Sequence, residues 1–195
     1  MRQPNYWRYI TGNGLSLIGT WMQRIAVGWL TWELTRSPTW LGIIAMADFF
    51  PVVFMGPLGG VLADRHSRIR VMILSQIGAA ACALAMFALS MSGVLTEWHL
   101  AIFTFLTGIA LGLNQASRLA LAPSLVPHEY LTTAIAINSM AFNGARFVGP
   151  MISTAVISLW SIHISFLINA FSYTALIIAL LSLNIERRQS RGTDE

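Results

Sequence analysis

Six apolar runs follow one another along this chain, at about 9–33, 39–62, 69–93, 99–122, 131–158 and 163–184. Each is long enough to cross a bilayer as a helix, since a hydrocarbon core about 30 Å thick takes roughly 20 helical residues. The breaks between them carry charge and turn residues: ELTRSPTW, ADRHSRIR, SGVLTEWH, LAPSLVPHEY and LWSIHI. A signal peptide or a helix lying on a membrane surface would account for one such run, not for their recurrence. Only 10% of the residues are charged and 55% are hydrophobic, against roughly a quarter charged in soluble domains. The expected fold is an all-α membrane protein, with a six-helix transmembrane bundle over 1–185 and a hydrophilic tail over 186–195. No removable targeting segment is expected.

Every one of the twelve basic residues is Arg, giving a net charge of +4. Excess positive charge can mark a nucleic-acid binder, but here the arginines are parcelled into the breaks between apolar runs, where bilayer orientation explains them. Arg2, Arg8, Arg65, Arg68, Arg70, Arg118, Arg187, Arg188 and Arg191 fall on one side of a six-crossing path, and Arg36 on the other. The arginine-rich side reads as cytoplasmic, with both termini there and the chain in the cell (inner) membrane. Trp29, Trp32, Trp40, Trp98 and Trp160 then gather at the outer boundary, as an interfacial aromatic belt does.

Two of the runs carry a stripe of small or polar residues at helical spacing: Gly12, Ser16, Thr20, Arg24 and Gly28 in the first, Thr104, Gly108 and Gly112 in the fourth. Such a stripe packs helices closely or lines a cavity. The glycines favour packing and Arg24 favours a cavity, because a guanidinium in lipid is costly. There is also an internal echo. QRIA at 23–26 precedes a Gly-Pro at 56–57, and SRLA at 117–120 precedes a Gly-Pro at 149–150. This fits a three-plus-three repeat of the kind found in transporter halves.

The break GGVLADRHSRIR resembles the loop signature of the major facilitator superfamily, roughly G-x-L-x-D-R-x-G-R-[RK]. Gly60, Leu62, Asp64, Arg65 and Arg68 match it, while Ser67 stands in place of Gly and Ile69 in place of a base. The resemblance implies that this loop latches the inward-closed state against a second half of the transporter, with Gly59 and Gly60 allowing close helix approach. GARFVGP, from Gly144 through Gly149 to Pro150, resembles the Gly-Pro motif of exporting antiporters, but Ser153 and Thr154 stand where further glycines are usual. The longer strings LSLIGTWMQRIAVGWLTWELTRSP and ASRLALAPSLVPHEYLTTAIAINSMAFNGARFVGP are similar to the secretion-effector branch, with its enterobactin-exporter-like and macrolide-efflux members. The resemblance implies about twelve spans, of which this sequence supplies six.

Three ionisable residues sit too deep in their runs to be orientation signals: Arg24, Asp48 and Arg146. At about 1.5 Å rise per residue, Arg24 and Arg146 lie roughly 22 Å from the inner boundary and Asp48 roughly 17 Å. At that depth they should face the bundle interior and one another, with Arg24 and Asp48 as the expected pair. Asn143 and Asn169 fall near the same level, as polar lining or as interhelical hydrogen-bonding groups. For Asp48 two readings stand: a proton-exchanging carboxylate freed when an anionic substrate competes for Arg24, or a permanent ion pair fixing two helices in register. Two Arg against one Asp make the lining net positive, which points to anionic or catecholate-like substrates.

The function expected is the N-terminal half of a secondary exporter of a siderophore-like or drug-like small molecule, working by proton antiport and alternating access. The alternatives are a truncated fragment without transport of its own and a half-size transporter acting as a homodimer. An enzyme is not expected. The chain has no Lys for a phosphate-binding loop, and one embedded carboxylate without a second near it, or a His ligand pair, is thin equipment for catalysis. No cofactor, metal site or nucleic-acid partner is expected: His66, His99, His128 and His163 fall in different breaks, and Cys82 is the sole cysteine.

Overall fold

The computed structural model describes residues 4–65 and 67–183, and within them every side chain except those of Ala63, Asp64, Ala116, Ala120, Ala122 and Pro123. Six long helices occupy the apolar runs: α1 (Pro4–Thr35), α2 (Pro38–Arg65), α3 (Arg68–Met91), α4 (Glu97–Ser124), α5 (Leu131–Leu159) and α6 (Ile162–Leu181). A short 3-10 turn, His128–Tyr130, leads into α5. No strand occurs among the described residues. Four helices are long and apolar enough to cross a membrane: α2, α3, α4 and α6. The other two carry more polar side chains, including Asn13, Thr20, Gln23 and Arg24 in α1 and Asn138, Asn143 and Arg146 in α5.

The helix ends follow local chemistry. Pro38 opens α2, where a missing N–H costs nothing. α1 stops at Arg36, which takes a left-handed φ of 48° while its N–H donates to the Trp32 carbonyl at 2.9 Å. Past α3, Gly93 takes φ 72°. Ser161 caps α6, its hydroxyl oxygen accepting from the His163 N–H at 3.4 Å. Between α2 and α3, Ser67 is extended at φ −60° and ψ 121°, a conformation open to any residue. The Gly of the loop signature is therefore not needed at this position.

α2 packs on α4 and α5 on α1; α3 packs on α4 and α6 on α1; α3 and α6 meet each other. The packed interior has three levels. Near the α1 C-terminal end it is built from Ala26, Leu30, Met86, Leu100 and Phe166, and near the other end from Tyr9, Met72, Leu121, Leu176 and Leu180. Between them the helices cross on small residues, Ala79, Ala83, Ala110 and Ala170, beside Tyr173. The glycines of the fourth run sit at the α2–α4 crossing: a methyl group on Gly108 would come within 2.9 Å of the Asp48 carbonyl oxygen, and one on Gly112 within 2.8 Å of Met55 Cβ. Close approach at Gly108 thus fixes the turn of α2 that carries Asp48.

In the signature region, Gly59 and not Gly60 makes the close approach. A methyl on Gly59 would meet the Leu113 carbonyl oxygen at 2.7 Å, whereas Gly60 has open space around it. One residue turns a helix by about 100°, so adjacent glycines cannot both face α4. Arg65 and Arg68 are exposed at the α2 and α3 ends. The Asp64 side chain, His66 and the tail with Arg187, Arg188 and Arg191 lie outside the described residues, as does Arg2.

Candidate functional site

Arg24 and Asp48 meet across α1 and α2. Arg24 Nε lies 2.9 Å from Asp48 Oδ2 and Nη2 donates to Oδ1 at 3.3 Å, so the guanidinium meets both carboxylate oxygens. Only the Nη2 contact has hydrogen-bond geometry; Nε is held to the carboxylate by charge alone. The pair borders a cavity of about 190 Å³ whose other walls include Thr20, Gln23, Gly28, Thr104, Thr107 and Tyr173. The polar stripe of α1 is thereby divided. Gly12 packs against Ala175, Leu176 and Ala179 of α6, whereas Arg24 and Gly28 face the cavity.

A buried polar network backs this wall. The Thr20 hydroxyl lies 2.8 Å from the Ser16 carbonyl oxygen and 3.3 Å from the Tyr173 hydroxyl. Asn169, fully buried on α6, donates to Gln23 Oε1 at 2.7 Å, and its own oxygen accepts from the Ser172 hydroxyl at 2.8 Å. The bond to Gln23 crosses between helices, that from Ser172 stays within α6, and Asn169 lines neither of the cavities beside α1. These bonds tie the α1 turn holding Arg24 to α6, as buried polar groups require partners.

A second cavity, of about 160 Å³, continues along α1 towards its N-terminal end, bordered by Asn13, Ser16, Trp21, Gln76, Asn114, Gln115, Arg118 and Phe142. Thr20, Arg24 and Leu111 belong to both cavities. Arg24 therefore stands at the junction. Trp21 stands beside it: the Arg24 guanidinium lies 4.6 Å from the Trp21 ring and that of Arg146 5.5 Å from the same ring. Phe142 meets Trp21 edge to face at 6.2 Å, and the Arg118 guanidinium lies 5.5 Å from Phe142. Cation–aromatic contacts of this kind each add a modest attraction to the guanidinium groups.

Of the α5 residues singled out in the sequence, Arg146 reaches the level of Arg24 through Trp21 but lines neither cavity. Asn143 contributes to neither cavity: it is exposed and donates to the Ser139 carbonyl oxygen of its own helix at 2.9 Å. Gly144 has open space around it, while a methyl on Gly149 would strike α1 at Trp21 Cβ, 2.6 Å away. α5 runs unbroken through Pro150. Arg118, counted among the orientation signals, is in fact buried, at 7% exposure. The spacing echo that pairs it with Arg24 was the available signal; Trp21, Gln23 and Tyr173 had none beyond helical register. Among the described residues no three His, Cys, Asp or Glu side chains group together as a metal site would need.

Comparison with known proteins gives one answer throughout. A family model described as a transmembrane secretion effector matches residues 2–195. An uncharacterised MFS-type transporter of Bacillus subtilis, YfiS, is 29% identical over 86% of this chain and 40% of its own length. Macrolide efflux protein A of Streptococcus pyogenes is 27% identical over 93% of the chain and 44% of its length. The enterobactin exporter EntS of Shigella boydii is 28% identical over 90% and 41%. The chain thus spans less than half the length of these relatives.

Proposed function

Since the chain belongs to the transmembrane secretion effector family of major facilitator transporters, we propose that it forms the N-terminal six-span half of a secondary exporter for a siderophore-like or drug-like small molecule. The observation carrying this reading is the Arg24–Asp48 pair at the wall of a cavity in the bundle. Relatives named for macrolide efflux and enterobactin export support the direction of transport. Support for a three-plus-three repeat comes from the packing: exchanging α1–α3 with α4–α6 turns the α2–α4 contact into α5–α1 and the α3–α4 contact into α6–α1. All six helices cross the inner membrane in this reading, with both termini cytoplasmic.

In this mechanism Asp48 carries the coupled proton. An anionic group of the substrate, bound from inside, competes for Arg24 and weakens its hold on the carboxylate; once the site opens outward the substrate leaves as Asp48 takes up a proton, and loss of that proton inside restores the pair. Alternating access needs a second six-span body, either another half or a second copy of this chain. Gradient-driven uptake into everted membrane vesicles tests the coupling. The chain is expressed alone and together with the second half of a relative. Asp48→Asn should abolish accumulation driven by a pH gradient and spare downhill exchange. Unchanged gradient-driven accumulation in Asp48→Asn would refute proton carriage by this residue. Light scattering of the purified chain in detergent decides between a single copy and a homodimer.

A further inference from the structure

We infer that the second cavity is a ligand site of its own, in which Arg118 and Asn114 bind a small organic anion that also carries a hydroxyl donor. Two independent observations point to a ligand. Arg118 is 7% exposed, and its Nε has no hydrogen-bond partner, although its Nη2 donates to Gln115 Oε1 at 2.6 Å. Asn114 is 6% exposed, and its Oδ1 likewise has no partner. Both border the same cavity. A buried donor and a buried acceptor left unmade each cost free energy, and a guanidinium buried without a counter-ion costs more. No ion-pair partner for Arg118 exists among the described residues.

Residues four apart on a helix lie on one face, so Arg118 and Asn114 address the cavity side by side, and a ligand carrying an anionic group and a hydroxyl on one aromatic ring can meet both. Phe142, already over Arg118, offers a flat apolar wall to such a ring. Arg24 closes the far end of the cavity, where the first cavity begins. A ligand held at Arg118 therefore lies one step from the guanidinium paired with Asp48. That loading order rests on the export reading; the binding chemistry does not.

The probe is 3-hydroxybenzoate, titrated calorimetrically into the purified chain in detergent at low salt, with benzoate and 3-hydroxybenzamide as partial ligands. The hydroxy acid should bind most tightly. Arg118→Gln should weaken it about tenfold or more, the size expected for a lost charged hydrogen bond. Arg36→Gln removes the same charge far from the cavity and should leave affinity within about twofold, as screening of distant charges requires. Asn114→Leu should bring 3-hydroxybenzoate down to the affinity of benzoate. Circular dichroism and a monodisperse elution peak establish folding of each variant, and if Arg118→Gln fails them, Asn114→Leu decides. Absence of binding at millimolar probe, equal loss in Arg36→Gln, or no change in Asn114→Leu overturns the inference. Binding needs neither gradient nor second half, so anion binding here together with failure of gradient-driven transport once a second half is supplied would sink the exporter reading and leave this site standing.

Discussion

Gly108→Ala and Gly144→Ala, the same chemical change at two glycines, should move stability in opposite directions. At Gly108 the new methyl would lie 2.9 Å from the Asp48 carbonyl oxygen and 3.2 Å from Pro51 Cγ, whereas ordinary contact begins near 3.4 Å. The neighbour is helix backbone, so α2 must move from α4 by about 0.5 Å, enough to forfeit roughly a quarter of each dispersion well along the contact. Overpacking of this kind costs about 1–3 kcal/mol. Better helix propensity offsets about 1 kcal/mol of that, leaving a net loss of about 1 kcal/mol. At Gly144 a methyl meets nothing within 4 Å, so the propensity gain of about 1 kcal/mol stands alone. Unfolding in mixed micelles with increasing sodium dodecyl sulfate, followed by circular dichroism, should separate the two variants by about 2 kcal/mol. If Gly108→Ala is as stable as the parent chain, close approach does not set the α2–α4 spacing, and the account of how Asp48 is positioned fails.

Other outcomes follow from the same coordinates. A double-mutant cycle of Arg24→Gln and Asp48→Asn should give a coupling of about 1 kcal/mol: the 2.9 Å ion-pair distance raises it, but side-chain exposures of 33% and 25% hold it well below values for a dry pair. Coupling indistinguishable from zero would mean the pair is not formed in the folded chain. Arg36→Gly should raise stability by about 0.5 kcal/mol, because Arg36 sits at φ 48° where only glycine is unstrained; a lower stability would contradict this. In a Cys82→Ala background, Ser67→Cys should react with a membrane-impermeant maleimide only in permeabilised cells, and Glu97→Cys in intact ones. Equal reaction of both in intact cells would overturn the six-crossing path.

Element positions were legible because the length of an apolar run is set by a physical thickness: the third run, 69–93, becomes α3, Arg68–Met91. Height within the run was legible to about one helical turn, since rise per residue is constant: it put Arg24 and Asp48 roughly 5 Å apart along the bundle, within reach of their side chains. Azimuth was not. Asn143 has the right height but faces out and bonds its own helix, and Gly59 and Gly60 differ only in direction. Which way a side chain points depends on the partner helix, and α5 touches chiefly α1, a pairing that no local pattern encodes. Arg118 illustrates the same limit. Near the end of its run it looks like an orientation charge; it is buried because the bundle closes over that turn of α4.

The two echoed arginines make the case for function more sharply than either does alone. Under the three-plus-three reading, Arg24 on α1 and Arg118 on α4 occupy exchangeable places, with α2 and α5 as exchangeable neighbours. Yet α2 meets Arg24 with the Asp48 carboxylate, and α5 meets Arg118 with the ring of Phe142. An aromatic face holds a cation for about 1–2 kcal/mol, too little to neutralise a guanidinium that water no longer solvates. If both arginines served only to lock helices together, both would carry a carboxylate. In the inference drawn for the second cavity, Arg24 keeps a standing counter-ion while Arg118 takes its counter-ion from an arriving anion, so binding at Arg118 precedes competition at Arg24.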